Sequence, residues 1–251
     1  MKILIGNTGL VGQTLKEKIN FDFEYNSKNI DLYNVPDNCD LYLSCLPATK
    51  WLVNQDTKKD LENINNIINI INKFNYNKIF LISTIDVYND SPLNKDEDFE
   101  PIFKKFSYGG NRFLFEKMVK QYVKYKNLKI YRLPALFNNK IKKNILFDLI
   151  NNNNIEKINV NSFYQWFNLD NLHNFIETTK FENREIYNLF TEPINTKDIV
   201  NLFPQHWDKI RNYGEYVIYN YKTNLNDNGY IDTKENILKE IKTFINEFNS
   251  K

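Results

Sequence analysis

Three of the chain's seven glycines, Gly6, Gly9 and Gly12, fall within seven positions in the order G-x-x-G-x-x-G. Glycines at that spacing, between a strand and a helix, suit the cradling of a phosphate. The first lets the chain turn sharply, the second lets backbone approach the ligand, and the third lets the helix pack on the strand. The start of the helix then turns N–H groups and a partial positive charge toward the anion. The context fits, because residues 2–5 are a short apolar run and Val11, Leu15 and Ile19 begin a helical pattern. A dinucleotide-binding loop is therefore expected, with Gly6, Thr8, Gly9, Leu10, Val11 and Gly12 against the cofactor. A second pair, Tyr108 and Arg112, stands four residues apart, one turn along a single helical face.

These groups need a scaffold. Residues 21–25 read as a second strand that ends in Asn26-Ser27-Lys28, an amide, a hydroxyl and a cation. Such a strand end suits the 2′-phosphate of NADP(H), where a carboxylate would repel it, so NADP(H) is expected over NAD(H). Glu24 would change that reading if the strand phase moved by one residue. Residues 39–46 read as a third strand, and Leu46, Pro47 and Ala48 at its end should line the ligand crevice. A helix over 60–75, a strand over 78–83, a helix opening at Ser107 and a strand over 128–133 follow. The alternation implies right-handed βαβ units. The expected fold is α/β, a Rossmann-type doubly wound parallel sheet, over residues 1–137. Residues 138–251 should form a small, shortened C-terminal substrate lobe with segments returning to the core, including strands over 187–190 and 213–221 and a closing helix over 233–248.

Composition narrows the class. A net charge of +2 is too balanced to imply nucleic-acid binding. No apolar run is long enough to span a membrane, and the chain enters its first strand at once, so a cytoplasmic protein without a signal peptide is expected. Cys39 and Cys45 show no metal-ligand pattern, and His173 and His206 are isolated, so no metal is expected. Apolar faces on the 60–75 and 111–125 stretches could pair two copies as a homodimer or simply face the sheet.

Taken together, several stretches resemble the extended short-chain dehydrogenase/reductase superfamily, in its NAD(P)-dependent epimerase/dehydratase branch that handles nucleotide sugars. They are Gly6-Asn7-Thr8-Gly9-Leu10-Val11-Gly12, Asn63 with Asn69, Ser83-Thr84-Ile85-Asp86-Val87-Tyr88, Tyr108-Gly109-Gly110-Asn111-Arg112 and Arg132-Leu133-Pro134-Ala135-Leu136-Phe137. The resemblance spans most of the chain in order. It implies that Tyr108 is the general acid/base and that Thr84 hydrogen-bonds the reacting oxygen. It also implies cofactor contacts at Asn63, Ser83, Arg112, Pro134 and Leu136, and weaker substrate contacts at Asp86 and Asn144.

The sequence departs from the family at Arg112, where a lysine is usual. Arginine keeps the positive charge that a phenol of pKa near 10 needs beside it, but it does not release a proton. Members that dehydrate sugars carry Asp-Glu after the threonine, whereas this chain has Ile85 and Asp86. The expectation is an NAD(P)H-dependent reductase of a nucleotide-linked keto-sugar. The alternatives are a nucleotide-sugar epimerase, or a non-catalytic dinucleotide-binding sensor or partner subunit.

Overall fold

The computed structural model describes residues 1–178 and 184–249. In chain order the elements are β1 (Lys2–Ile5), α1 (Leu10–Lys16), β2 (Phe23–Tyr25), β3 (Cys39–Leu43), α2 (Lys50–Gln55), α3 (Thr57–Ile71), β4 (Asn75–Thr84), α4 (Tyr108–Tyr122) and β5 (Lys124–Leu133). They continue with β6 (Ala135–Phe137), α5 (Ile145–Asn151), β7 (Phe163–Tyr164), β8 (Trp166–Asn168), α6 (Leu172–Thr178), β9 (Ile186–Asn188), β10 (Ile194–Asn195), α7 (Thr196–Val200) and α8 (Lys234–Asn249).

The chain forms two compact units. The first holds Met1–Pro92, Glu97–Arg132 and Asn171–Asn188, and the second holds Leu93–Asp96, Leu133–Asp170 and the chain from Leu189 onward. The first is built on a six-stranded parallel sheet of order β2-β1-β3-β4-β5-β9. Its strands are apolar on both faces, as parallel strands must be when helices cover each side. On one face Ile3, Ile5, Leu41, Leu43, Ile79 and Leu81 share a core with Ile64 and Ile68 of α3 and with Phe115 and Val119 of α4. On the other, Leu4, Tyr42 and Phe80 are also buried, and the Tyr42 and Phe80 rings stack at 4.4 Å.

Strand order reverses at β1, which lies between β2 and β3. Open α/β sheets bind ligands outside the strand ends at such a switch point. Gly6 and Ser44 stand there, on the C-terminal ends of β1 and β3.

The second unit pairs β6 with β8 in parallel and β7 with β10 antiparallel. Its Gln165 is buried, donating to the Thr191 and Tyr221 carbonyls and accepting from the Tyr221 N–H. Ile237, Ile241, Phe244 and Ile245 form the buried stripe of α8. The strand expected over 213–221 does not form. That stretch forms an isolated bridge, Ile218 to Phe163, and its tyrosines divide between exposed Tyr213 and Tyr216 and buried Tyr219 and Tyr221. Helix α2, six residues just after the third strand, was not legible from periodicity because it buries only Val53. Among the described residues no helix is long and apolar enough to cross a membrane.

Candidate active site

The three loop glycines differ in what requires them. Gly6 has φ of +102°, and a Cβ there would collide with the Ser44 carbonyl. A Cβ on Gly12 would run into the Gly6 carbonyl oxygen, so α1 closes on the β1 turn only without one. Gly9 is another matter. A Cβ there would meet nothing nearer than Gly6 O at 3.6 Å, and its φ of −74° suits any residue. No protein contact explains the missing side chain at Gly9. A ligand phosphate lying on that exposed backbone would, and no side chain caps α1 there. The loop fits the expected dinucleotide.

Beside the loop, the end of β2 carries more than the sequence suggested. Asn7 donates to Glu24 Oε2 at 3.1 Å, and Asn26 donates to Asn7 Oδ1 at 3.0 Å. Lys16 pairs with Glu24 at 2.5 Å. Burial works against the Glu24 charge, but the bonds from Lys16 and Asn7 win and hold its carboxyl below the ordinary range. Asn26 Oδ1 accepts the Lys28 N–H at 2.9 Å, while the Ser27 and Lys28 side chains are exposed. The strand end is thus a compensated carboxylate with an amide beside it and a free-standing lysine beyond.

At the ends of β4 and the start of α4 the remaining groups converge. Ser107 caps α4, its hydroxyl accepting the Gly110 N–H at 3.1 Å, and Asn54 of α2 accepts the Tyr108 N–H at 2.8 Å. A Cβ on Gly109 would strike the Asp86 carbonyl, so the helix start lies directly on the turn after Thr84. Thr84 Oγ1 donates to Asp86 Oδ2 and accepts the Asp86 N–H, both at 3.2 Å. Lys50 donates to Asp86 Oδ1 at 2.7 Å. Tyr108 is buried, and its phenol is pushed up to about 12. Burial is the main cause and Asp86 adds to it, outweighing the Arg112 charge and the hydrogen bonds of Arg112 and Thr84.

Arg112 does more than face Tyr108. Its Cζ lies 4.7 Å from the Tyr108 ring centroid. Its two terminal nitrogens fork onto Asp60 of α3 at 2.8 and 3.1 Å, and one also donates to the Pro47 carbonyl at 2.6 Å. Asn111 donates to the same carboxylate at 2.9 Å. Asp60 and Arg112 are 3% and 5% exposed, so the charge pair is shut away from water.

Several expected residues stand elsewhere. Asn63 lies on the exposed face of α3, because the buried face runs through Asp60, Ile64, Ile68 and Ile71. The residue that enters the cluster is Asp60, one turn earlier. The Ser83 hydroxyl turns away to donate to Glu116 at 2.5 Å. It joins a buried network in which Arg132 forks onto Glu116 and donates to the Tyr88 hydroxyl at 2.6 Å. Pro47 contributes its carbonyl to Arg112, Leu46 packs on the core, and Ala48 is exposed. Pro134, Leu136 and Asn144 fall in the second unit. There Asn144 caps α5, accepting from Phe147 N–H and donating to the Leu136 carbonyl at 2.8 Å, which commits both ends of its amide.

Asp60 and Lys50 were missed. The signal for Asp60 was present, since an acid on the stripe of buried isoleucines needs a buried partner. Lys50 carried none.

A parallel six-stranded sheet with flanking helices and a glycine loop at its switch point is the Rossmann-type α/β fold. Solved structures that share it include dTDP-4-dehydrorhamnose reductases and UDP-glucose 4-epimerases. A dTDP-4-dehydrorhamnose reductase from Clostridium acetobutylicum matches with a TM-score of 0.68 and 15% identity, over 99% of this chain and 100% of that one. A second such reductase, from Bacillus anthracis and solved with NADP, gives 0.62 and 15%, over 99% and 98%. A UDP-glucose 4-epimerase from Thermus thermophilus, solved with NAD, gives 0.64 and 13%, over 99% of each chain. No family model matches the sequence, and no curated protein sequence does.

Proposed function

We propose that the chain is an NAD(P)H-dependent reductase of a nucleotide-linked keto-sugar, with NADP(H) preferred. The observation that carries this is Tyr108, a buried phenol beside Thr84 that keeps its proton at neutral pH. A phenol so held suits giving a proton to a carbonyl oxygen rather than taking one from an alcohol. The reduced nicotinamide, when bound, supplies hydride to the carbonyl carbon. Tyr108 then protonates the oxygen while the Thr84 hydroxyl orients it. Gly6, Gly9 and Gly12 hold the pyrophosphate, and Lys28 meets the 2′-phosphate while Lys16 offsets Glu24. Ile85 is buried and carries no proton to transfer, which disfavours dehydration.

The neighbours named dTDP-4-dehydrorhamnose reductase support the substrate class, and that compound is the first to assay. Tyr108→Phe should lower NADPH oxidation with it by about 10²–10⁴-fold while NADPH still binds. Unchanged turnover in that variant would remove Tyr108 from the chemistry. A second reading, a non-catalytic dinucleotide-binding subunit, draws on the Asp60 carboxylate that occupies Arg112. It predicts cofactor binding with no oxidation on any keto-sugar nucleotide.

A further inference from the structure

A guanidinium that merely supplied charge to Tyr108 would need no fixed plane. Arg112 has one. Two of its nitrogens are held by the Asp60 carboxylate, and one of these is also held by the Pro47 carbonyl, so the group cannot slide along the Tyr108 ring. Asp60 is itself fixed by Asn111, whose amide also donates to the Thr57 carbonyl at 3.1 Å. The carboxylate, the guanidinium and the ring therefore form one chain of contacts that runs from α3 to α4. Nothing in the core demands an ion pair there, because Ile64, Ile68 and Ile71 fill the same stripe of α3 with hydrocarbon.

We infer that Asp60 is a positioning residue for Tyr108, fixing the guanidinium of Arg112 beside its ring and balancing that charge within the site. The charged and titratable groups around the phenol are few. They are Arg112 from α4, Asp60 behind it on α3, Asp86 at the turn after β4 with Lys50 of α2 upon it, and the Cys45 thiol near Arg112 at the end of β3. Two cations face two carboxylates. Burial keeps the phenol protonated, and the compensated guanidinium does not overcome it, which sets the site to donate a proton. This rests on the reading of Tyr108 as the proton donor, yet it has its own readout.

The test titrates tyrosinate by near-ultraviolet absorbance, with no substrate present. In Asp60→Asn and in Asp60→Ala the uncompensated guanidinium should draw the Tyr108 titration down by about one to three pH units. The new component should vanish when Tyr108→Phe is added to either variant, and Asp60→Glu, which keeps the charge, should restore the wild-type curve. A purely structural role would move stability in these variants but leave the Tyr108 titration in place, and that result overturns the inference. Should both single variants fail to fold, Asp60→Asn combined with Arg112→Lys keeps an uncompensated cation, and the same downward displacement is required of it. If the titration moves but no keto-sugar nucleotide is ever reduced, the reductase reading fails while the role of Asp60 stands. If turnover occurs, the alkaline limb of its pH profile should move down with the titration in Asp60→Asn.

Discussion

Asp60 and Arg112, 52 residues apart in the chain, meet as a bidentate pair at 2.8 and 3.1 Å between α3 and α4, almost wholly out of water. Buried pairs of this kind recover their desolvation cost only when the remaining donors and acceptors are met. Here Asn111 and the Pro47 carbonyl meet them. The arginine at this position thus reaches Asp60 with two nitrogens and the Pro47 carbonyl at once.

Arg112→Lys tests that arrangement. An ammonium is a point charge and cannot fork onto Asp60 while also reaching Pro47 and lying beside the Tyr108 ring. The variant should lose about 1–3 kcal/mol of stability in urea melts, and turnover should fall with it. A gain in turnover would instead mark a site that has drifted from a lysine.

The loop glycines should separate in a paired experiment. Gly12→Ala drives a Cβ into the Gly6 carbonyl and should unfold the first unit or lower its melting temperature sharply. Gly9→Ala has room and an ordinary φ, so the fold should survive. What it should lose is dinucleotide affinity, by about tenfold or roughly 1.4 kcal/mol. Thermal shift with and without NADPH reads both effects.

Cofactor choice rests on the end of β2. NADPH should bind more tightly than NADH, and Lys28→Ala should bring the two together by weakening NADPH alone. An NADPH preference indifferent to Lys28, or none at all, sinks the argument from that strand end. Lys16→Ala, which leaves the Glu24 carboxylate uncompensated beside Asn7, should also weaken NADPH more than NADH.

Beneath the site, Arg132 and Glu116 are 1% and 2% exposed and pair at 2.7 Å. Arg132→Met strands a carboxylate in the core and should cost about 3–5 kcal/mol. Urea denaturation would register it, and a loss below 1 kcal/mol, within the range of about 0–1 kcal/mol typical of an exposed pair, would contradict the burial.

Stability should fail at alkaline pH. Tyr88 and Tyr108 are pushed by burial from 10.0 to about 12 in the folded chain, so the unfolded chain releases their protons first. The folded state then holds more protons, and unfolding becomes easier as pH rises past about 10. Below that the two tyrosines contribute no pH dependence, so urea midpoints should not respond to them at neutral pH. They should then decline steeply above about pH 10, less so in Tyr108→Phe.

Much of the architecture was legible because it is periodic. The runs in β1, β3 and β4 announced strands buried on both faces, and Ser107 with the apolar spacing after it announced α4. Tyr108 and Arg112 share a face because a helix returns after four residues, and that held. Asn63 shows the limit of that reading, since a family resemblance gives a residue type without the helical phase: Asn63 lies on the exposed face of α3 and Asp60 on the buried one.

What the amino-acid order determined by itself is local: glycines where backbone must pass backbone, strand and helix periods, and residues one turn apart on one helix. Only the tertiary structure decided which side chains are partners. Arg112 could have met solvent, cofactor or any acid, and its choice of Asp60 depends on how α3 packs against α4. Ser83 could have faced the crevice, yet the pleat of β4 turns it to Glu116. A charge buried beside a phenol sets what the phenol can do, and burial is a property of the packed fold. The glycine spacing marked a tight strand-to-helix turn, while only the packed backbone shows that Gly6 and Gly12 are required by close contacts and that Gly9 is not.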